Sequence, residues 1–167
     1  SGGSSGGGAI FADSSAIMTA DDCAFISNTS ANTAGAVHAI GSAGVTLNRC
    51  TLEGNGGPTC ADAGAVRATG ASATLVQCTL AGNTVTNNGG AIYSTGTSAT
   101  ILRHCTIAGN SAANGGGVRL DGGTLSVVNT IVAANTATSN GPDFHQTGGA
   151  LSRSGKNIIG INTTITS

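Results

Sequence analysis

Apolar residues recur along this chain at regular intervals, in runs too short for helices. One Asn marks each repeat: Asn28, Asn55, Asn83, Asn110 and Asn135 lie 27, 28, 27 and 25 residues apart. A Phe, Leu, Ile or Val stands three residues before each Asn, and a Cys or Thr stands five residues before it. Positions two apart project from the same face of a strand. The pattern therefore predicts a short strand with one buried face in every repeat.

Two further strands are predicted in each repeat. Another apolar residue lies three positions before the Cys or Thr, and this odd spacing predicts a bend between two strands. A third strand begins where a Gly, 19 or 20 residues before the Asn, is followed by a small residue and then Ile or Val. These Ile and Val positions are Ile10, Val37, Val66, Ile92 and Val118. Because no segment keeps a helical period over ten residues, a solenoid of helices is excluded.

The fold class that fits this pattern is all-β: a right-handed parallel β-helix, a solenoid in which each repeat is one coil of three short strands. Successive coils then stack about 4.8 Å apart, so that like residues lie on like. We expect about five to six coils in a single domain, residues 1–167. The approximate coil bounds are 6–33, 34–62, 63–88, 89–115 and 116–142, with a terminal coil at 143–167.

The repeated Asn and Cys are predicted to form structural ladders along the solenoid axis. We expect each Asn to adopt the left-handed conformation at a tight bend and its amide to bond from coil to coil. The four repeated cysteines, expected to line the core as small apolar residues, are Cys23, Cys50, Cys78 and Cys105. Neighbouring coils bring these cysteines within disulfide range, so pairing stays open. Cys60 lies apart in the longest insertion, either free or paired.

Composition and charge exclude several classes of partner. The chain has 6 Lys and Arg against 7 Asp and Glu, a net charge of −1. No basic patch is therefore expected for nucleic acid or an anionic membrane surface. No apolar run approaches the roughly 18 residues of a transmembrane helix. The CxxC spacing of metal sites is absent and no His falls on the Cys column, so we expect no metal and no cofactor.

Several motifs carry a resemblance to known β-helices. "GGAI" at 89–92, "GGGAI" at 6–10 and "FISN" at 25–28 resemble the pectin-lyase-like β-helix superfamily, in particular the GGAI and FxxN repeats of polymorphic outer membrane proteins. Residues 129–160, "NTIVAANTATSNGPDFHQTGGALSRSGKNIIG", are similar to the terminal coils of choice-of-anchor bacterial surface proteins. The resemblance implies a secreted or surface-exposed protein that acts in adhesion or as a stalk.

One outward column of the third-strand positions consists of aromatic and basic side chains. We name this column the strip: Phe11, His38, Arg67, Tyr93 and Arg119. The next outward column is Asp13, Ile40, Thr69, Thr95 and Asp121. We hypothesise that the last four residues of the strip bind a glycan or a protein partner. The alternative is that these bulky polar groups only shield the strand edges.

Catalysis is disfavoured by the distribution of carboxylates. Glycoside hydrolysis needs two carboxylates held about 5 to 10 Å apart. Asp21 and Asp22 form the only adjacent acidic pair, and Arg49 is expected beside Asp22 on the next coil as a surface ion pair. We therefore expect no enzyme, and a polysaccharide lyase or glycoside hydrolase stays as an alternative.

Ice binding is a minor alternative, since flat Thr arrays occur on ice-binding solenoids. The outward Thr positions are Thr51, Thr79 and Thr106, with Thr46 and Thr74 on the neighbouring strand. Ala24 and Ile131 interrupt the first of these columns. The simpler reading is that Thr suits an exposed strand position.

The two ends of the sequence carry no predicted helical cap. Open strand edges invite further pairing, so we expect either an excerpt of a longer surface protein or copies that stack end to end into filaments. The last seven residues, "INTTITS", are a candidate extra strand for a neighbour, and Asn162 matches the N-glycosylation pattern.

We expect a non-catalytic structural, adhesive or assembly module of an extracellular surface protein. Its expected partners are other copies, other surface proteins or glycans, and carbohydrate binding is the competing function.

Overall fold

The computed structural model describes residues 6–160, 162 and 163, without the side chains of 162 and 163. Within that part the regular structure is entirely β-strand, and consecutive strands belong to different sheets with parallel pairing throughout. Three sheets of six or seven strands run the length of the molecule, one strand from each coil. The prediction of an all-β parallel solenoid with three strands per coil and about six coils is confirmed.

The bounds of the strands follow the predicted repeat. The first sheet contains β1 (Ile10–Ala12), β4 (Val37–Ile40), β7 (Val66–Thr69), β10 (Ile92–Thr95), β14 (Val118–Leu120), β18 (Phe144–Gln146) and β21 (Asn162–Thr163). The second sheet contains β2 (Ile17–Asp21), β5 (Gly44–Asn48), β8 (Ser72–Val76), β11 (Ala99–Arg103), β15 (Thr124–Val128) and β19 (Ala150–Ser154). The third sheet contains β3 (Ala24–Ile26), β6 (Thr51–Glu53), β9 (Thr79–Ala81), β12 (Thr106–Ala108), β16 (Ile131–Ala133) and β20 (Ile158–Ile159).

The core is a set of in-register apolar columns, one or two from each sheet. The second sheet stacks Leu47 on Leu75, Leu75 on Leu102 and Leu102 on Val127, and all four are buried. The first and third sheets form equivalent columns from Val, Ile and Leu. Because every coil repeats the same residues at the same places, one periodic pattern supplies a continuous core for the whole molecule.

Two left-handed residues turn the chain in most coils. The first falls just before the Cys column, at Asp22, Arg49, Gln77, His104 and Asn129, with φ between 49° and 55°. The predicted bend between the second and third sheets is thus confirmed. The second falls just before the Asn, at Ser27, Gly54, Gly82, Gly109 and Ala134. The prediction that Asn itself is left-handed is wrong, because the preceding residue makes the turn.

The Asn ladder, formed by the five repeated Asn residues, is confirmed. Asn55 donates its backbone N–H and its Nδ2 to Oδ1 of Asn83, both at 2.9 Å. The same pair of bonds joins each of the other neighbouring ladder residues. Because the preceding residue makes the turn, each Asn side chain lies along the solenoid axis. Its Oδ1 then accepts the backbone N–H of the Asn in the coil before it.

The Cys column behaves as predicted except in the first coil. Cys50, Cys78 and Cys105 are buried, and their thiols donate to backbone carbonyls of the coil before, as from Cys78 Sγ to Leu47 O at 3.3 Å. Cys23 is exposed, which corrects the prediction that it is buried: it belongs to the first coil, so no described coil covers its outer side. Cys60 is buried, and all five cysteines are unpaired.

The segments between the Asn ladder and the next first-sheet strand form an ordered outer layer. Parallel β13 (Ser111–Asn114) and β17 (Thr136–Asn140) pair within it. Single bridges between 56 and 84, 84 and 111, 62 and 88, and 88 and 114 continue it toward the N-terminus. A small separate apolar cluster of Cys60, Val85 and Ala112 holds these segments together.

The C-terminal segment pairs within the chain. Strand β21 continues the first sheet, with Asn162 opposite Phe144 and Thr163 opposite His145. The side chain of Asn162, and with it the glycosylation match, lies outside the described part of the chain, as do residues 164–167.

Candidate functional site

The strip residues lie on one another, as the repeat predicts. Phe11 pairs with His38, His38 with Arg67, Arg67 with Tyr93, and Tyr93 with Arg119. The guanidinium carbons of Arg67 and Arg119 lie 5.2 and 5.7 Å from the centroid of the Tyr93 ring. This range permits cation–π attraction from both sides of the ring. The centre of the strip is therefore a stack of Arg, Tyr and Arg.

An outer ladder of polar side chains runs beside the strip. His145 continues the column of the strip beyond Arg119. The members of the outer ladder each stand five residues before Arg67, Tyr93, Arg119 or His145, and they are Asp62, Asn88, Asn114 and Asn140. Asn88 Nδ2 donates to Asp62 Oδ1 at 2.8 Å, and Asn140 Nδ2 donates to Asn114 Oδ1 at 2.9 Å. The sequence reasoning missed this ladder. Its signal was present as Asn-Gly at 88–89, 114–115 and 140–141, since the residue after each ladder member has a positive φ.

Most of the charged groups in the strip are bonded to the outer ladder or to Asp121. Arg67 Nη1 donates to Asp62 Oδ2 at 3.2 Å. Arg119 donates through Nη1 to Asn88 Oδ1 and through Nε to Asp121 Oδ1, the latter at 2.7 Å. These bonds neutralise both arginines within the protein.

Tyr93 and Asp121 complete this network. The Tyr93 hydroxyl donates to Asp121 Oδ2 at 2.7 Å, and the Thr147 hydroxyl donates to Oδ1 of the same carboxylate. Burial would raise the pKa of Asp121, but hydrogen bonds from Arg119, Thr147 and Tyr93 outweigh it and hold that pKa below its usual range. Burial and the bond to Asp121 raise the pKa of Tyr93. Asp121 is thus a fixed carboxylate, and Tyr93 is a neutral phenol.

The strip is much less accessible than the sequence suggested. Only 2% of His38 and 9% of Tyr93 is exposed. The side chains of Arg67 and Arg119 are 18% and 16% exposed. The expectation of an open outward surface is wrong for these residues, because each side chain is stacked between its neighbours and joined to groups at the sides of the strip. Whether the strip binds a ligand stays a prediction.

His38 is the most perturbed titrating group of the strip. Burial, and next the positive charge of Arg67, lower its pKa to about 4, while Asp13 acts weakly in the opposite direction. Its Nδ1 has no described partner, and neither does Nε of Arg67. His38 is therefore neutral at physiological pH.

The acidic pair of the first coil is engaged as predicted. Arg49 binds Asp22 through Nε at 2.7 Å and through Nη2 at 2.8 Å, and Asn48 donates to Asp21 at 2.8 Å. The hydrogen bond from Arg49 lowers the pKa of Asp22. The side chains are about half exposed or more, so this arrangement is a surface ion pair between coils.

The Thr columns are in register but short. Thr51, Thr79 and Thr106 pair on the outer face of the third sheet. On the second sheet, Thr19 pairs with Thr46 and Thr46 pairs with Thr74. The sequence reasoning did not include Thr19 in this column. Ile101 and Ile131 end these columns toward the C-terminus. The result is two three-residue ladders on different sheets, without one continuous hydroxyl array.

The described residues contain no group of three or more His, Cys, Asp or Glu side chains arranged to hold a metal. Within the same part of the chain, no helix has the length and apolar character needed to cross a bilayer.

Comparison with known proteins agrees with the observed coils. A family model described as "Right handed beta helix region" matches residues 3–166. Neither the curated proteins nor the solved structures gave a match. The parallel coils, the three sheets and the extent of this match lead to one assignment: the chain belongs to the right-handed β-helix family.

Proposed function

We propose that this chain is a non-catalytic structural module that acts as a rigid spacer in an extracellular surface protein. The observation that carries the proposal is the internal pairing of the strip. Arg67, Arg119 and Asp121, the charged groups that a ligand would use, are bonded to protein groups and mostly buried. A ligand would have to break these bonds before it gained any of its own.

The rest of the surface supports the same function. Outward positions of the second and third sheets carry mainly Thr, Ser and Ala, and charged residues make up 8% of the chain. Buried amide ladders and in-register cores give a stiff rod. The resemblance of the GGAI and FxxN repeats to polymorphic outer membrane proteins, and of the last coils to choice-of-anchor proteins, supports a location at the cell surface.

The carboxylates also favour a non-catalytic role. A general acid in sugar hydrolysis needs a raised pKa, whereas hydrogen bonds lower the pKa of Asp121 and of Asp22. Asp62 is held by Arg67 and Asn88. We infer that no pair of these groups serves as acid and nucleophile.

Carbohydrate binding at the strip is the second candidate, because Arg67 Nε is a buried donor without a described partner. A glycan array probed with the folded chain, together with a cleavage assay on acidic polysaccharides, separates the two functions. We expect neither binding nor cleavage. Binding that is lost in Arg67→Ala and kept in Arg103→Ala, a control on the exposed second sheet, would assign the strip as a lectin site and overturn the spacer function.

A further inference from the structure

Asn followed by Gly occurs four times in this chain. The Asn residues of these pairs are Asn55, Asn88, Asn114 and Asn140. In an Asn-Gly pair the Gly nitrogen can attack the side-chain carbon Cγ of the Asn, because Gly has no side chain to hinder the approach. The attack closes a five-membered succinimide ring and expels ammonia. How readily the ring forms depends on what the fold does with the Gly N–H and the Asn amide.

At three of the four pairs, the Gly N–H is held in a backbone hydrogen bond to a neighbouring coil. These bonds, each of 2.9 to 3.0 Å or less, run from Gly56 to Asn28 O, from Gly89 to Asn114 O and from Gly115 to Asn140 O. The nitrogen of a succinimide carries no hydrogen, so ring closure at any of these pairs would also remove a bond between coils. The stacking of coils therefore protects these three sites.

Gly141 differs from the other three glycines. It is buried, and its N–H has no acceptor among the described residues. A buried N–H without a partner is unfavourable. Ring closure with Asn140 would remove this N–H and would break no backbone bond. The fold thus favours cyclisation at this pair and opposes it at the other three.

The path of the chain explains why Gly141 has no acceptor. The bonds of Gly89 and Gly115 end on the outer-layer segment of the following coil. After β17 there is no such segment, because only residues 160 and 161 lie between β20 of the third sheet and β21 of the first sheet. This short connection leaves β17 at the edge of the outer layer.

The side chain of Asn140 is also held less firmly than the side chains at the other sites. It is exposed, and its one bond to a described residue runs from Nδ2 to Asn114 Oδ1 at 2.9 Å. Asn88, by contrast, is bonded through both its amide nitrogen and its amide oxygen, and so is the buried Asn55. Turning the Asn140 side chain toward Gly141 therefore breaks a single exposed hydrogen bond.

We propose that Asn140 is a modification site at which the folded chain deamidates spontaneously. The Gly141 nitrogen forms a bond to Cγ of Asn140, and the bond from Cγ to Nδ2 breaks. Nδ2 leaves as ammonia with the proton that the Gly nitrogen gives up. Water then opens the ring at either carbonyl and leaves aspartate or isoaspartate at position 140. This site does not depend on the function proposed above.

Deamidation changes the edge of the outer layer. The product carries a carboxylate in place of the Nδ2 donor, so Asn114 Oδ1 loses its hydrogen bond and faces a negative charge. Isoaspartate also lengthens the backbone at a residue that pairs with Asn114 in the register of β13 and β17. We therefore expect each modified molecule to gain one negative charge and to hold β17 less tightly.

Peptide mapping by mass spectrometry tests the proposal on the folded chain. Trypsin cuts after Arg and separates the four sites into peptides 50–67, 68–103, 104–119 and 120–153. Incubation in mildly alkaline water enriched in heavy oxygen marks the sites that react before the digest, because ring opening takes its oxygen from water. Fragment spectra then locate the label within each peptide. The same incubation in urea measures the four sites without the fold.

In the folded chain we expect Asn140 to gain label at least about ten times faster than the other three sites, since each of those must give up a backbone hydrogen bond. In urea the four sites should react at similar rates. Asn140→Gln should abolish the label at position 140, because Gln would have to close a larger ring. Asn129→Gln is the matched control in the same peptide, since Gln77 holds the equivalent bend of another coil, and it should leave the rate at Asn140 unchanged.

Three results would overturn the proposal. One is a rate at any of the three protected sites that equals the rate at Asn140 in the folded chain. Another is an unlabelled Asn140 in the folded chain under conditions in which urea allows it to react. The third is label that persists in peptide 120–153 of Asn140→Gln at the wild-type rate, with circular dichroism to verify that the variant is folded.

Discussion

Asn83 donates both its backbone N–H and its side-chain Nδ2 to Oδ1 of Asn110, at 2.9 and 2.8 Å. In turn, Oδ1 of Asn83 accepts the same two donors from Asn55. All three residues are buried. One side chain thus satisfies polar groups of two neighbouring coils, so the ladder stabilises the stacking of coils together with the apolar columns beside it.

Asn83→Ala should destabilise the protein by about 2 to 4 kcal/mol, because it leaves two buried donors of Asn55 without their acceptor. Urea unfolding followed by circular dichroism measures this cost. Asn28→Ala is the matched control at the end of the ladder, where Asn55 Oδ1 keeps the backbone donor of residue 28. We expect that variant to lose about 1 kcal/mol. Equal losses would mean that the ladder does not depend on acceptor continuity.

The stability of the protein should fall as the pH drops from about 6.5 toward 4. The pKa of His38 is lowered to about 4 in the folded state, so across this window the unfolded chain binds the proton more readily, and stability rises with pH. His38 alone should account for up to about 3 kcal/mol. Burial also lowers the pKa of His145, which acts with the same sign.

Unfolding by urea at pH 7 and at pH 4 measures the His38 effect. His38→Gln should lose much less stability than the wild type between pH 7 and pH 4, because Gln does not titrate. His104→Gln is the control, since His104 is exposed at a bend of the solenoid. The same pH dependence in His38→Gln and in the wild type would show that His38 is not kept neutral by burial.

One thiol should react far faster than the other four. Cys23 is exposed, whereas Cys50, Cys60, Cys78 and Cys105 are buried. Burial raises the pKa of Cys50 and raises that of Cys60 to about 11, so little reactive thiolate is present at pH 8. Mass spectrometry after brief iodoacetamide treatment should find a single adduct. Cys23→Ser should remove it, and rapid labelling of Cys60 would contradict the burial of the outer layer.

Gly90→Ala should disrupt the fold more than an ordinary glycine substitution. A Cβ at Gly90 would lie 2.1 Å from Gly116 O of the next coil and 2.7 Å from the Ser111 nitrogen of its own coil, and both are backbone atoms. We expect a loss on the order of 3 kcal/mol or more, from overpacking that backbone cannot relieve.

Gly109→Ala supplies the comparison for Gly90→Ala. Gly109 has a φ of +68°, but its nearest atom to a new Cβ is 3.8 Å away. It should lose about 1 kcal/mol through its left-handed backbone alone. Thermal unfolding of the two variants measures the difference, and a smaller loss in Gly90→Ala would contradict the close approach of the coils.

The sequence by itself determined the coils, the three sheets and the Asn ladder. Leu47, Leu75 and Leu102 could be placed on one another without coordinates, because parallel in-register stacking converts a period along the chain into a column in space. The same reasoning placed Arg49 beside Asp22 and aligned the strip from Phe11 to Arg119.

Only the tertiary structure decided how exposed these columns are and which groups they meet. Segments of unequal length between the Asn ladder and the first sheet form the outer layer, and its outer ladder bonds Arg67 and Arg119. The burial of His38 and the exposure of Cys23 likewise depend on what covers each coil. Periodicity fixes which residues stack, but contacts across the fold, which depend on the path of the chain between strands, fix what reaches solvent.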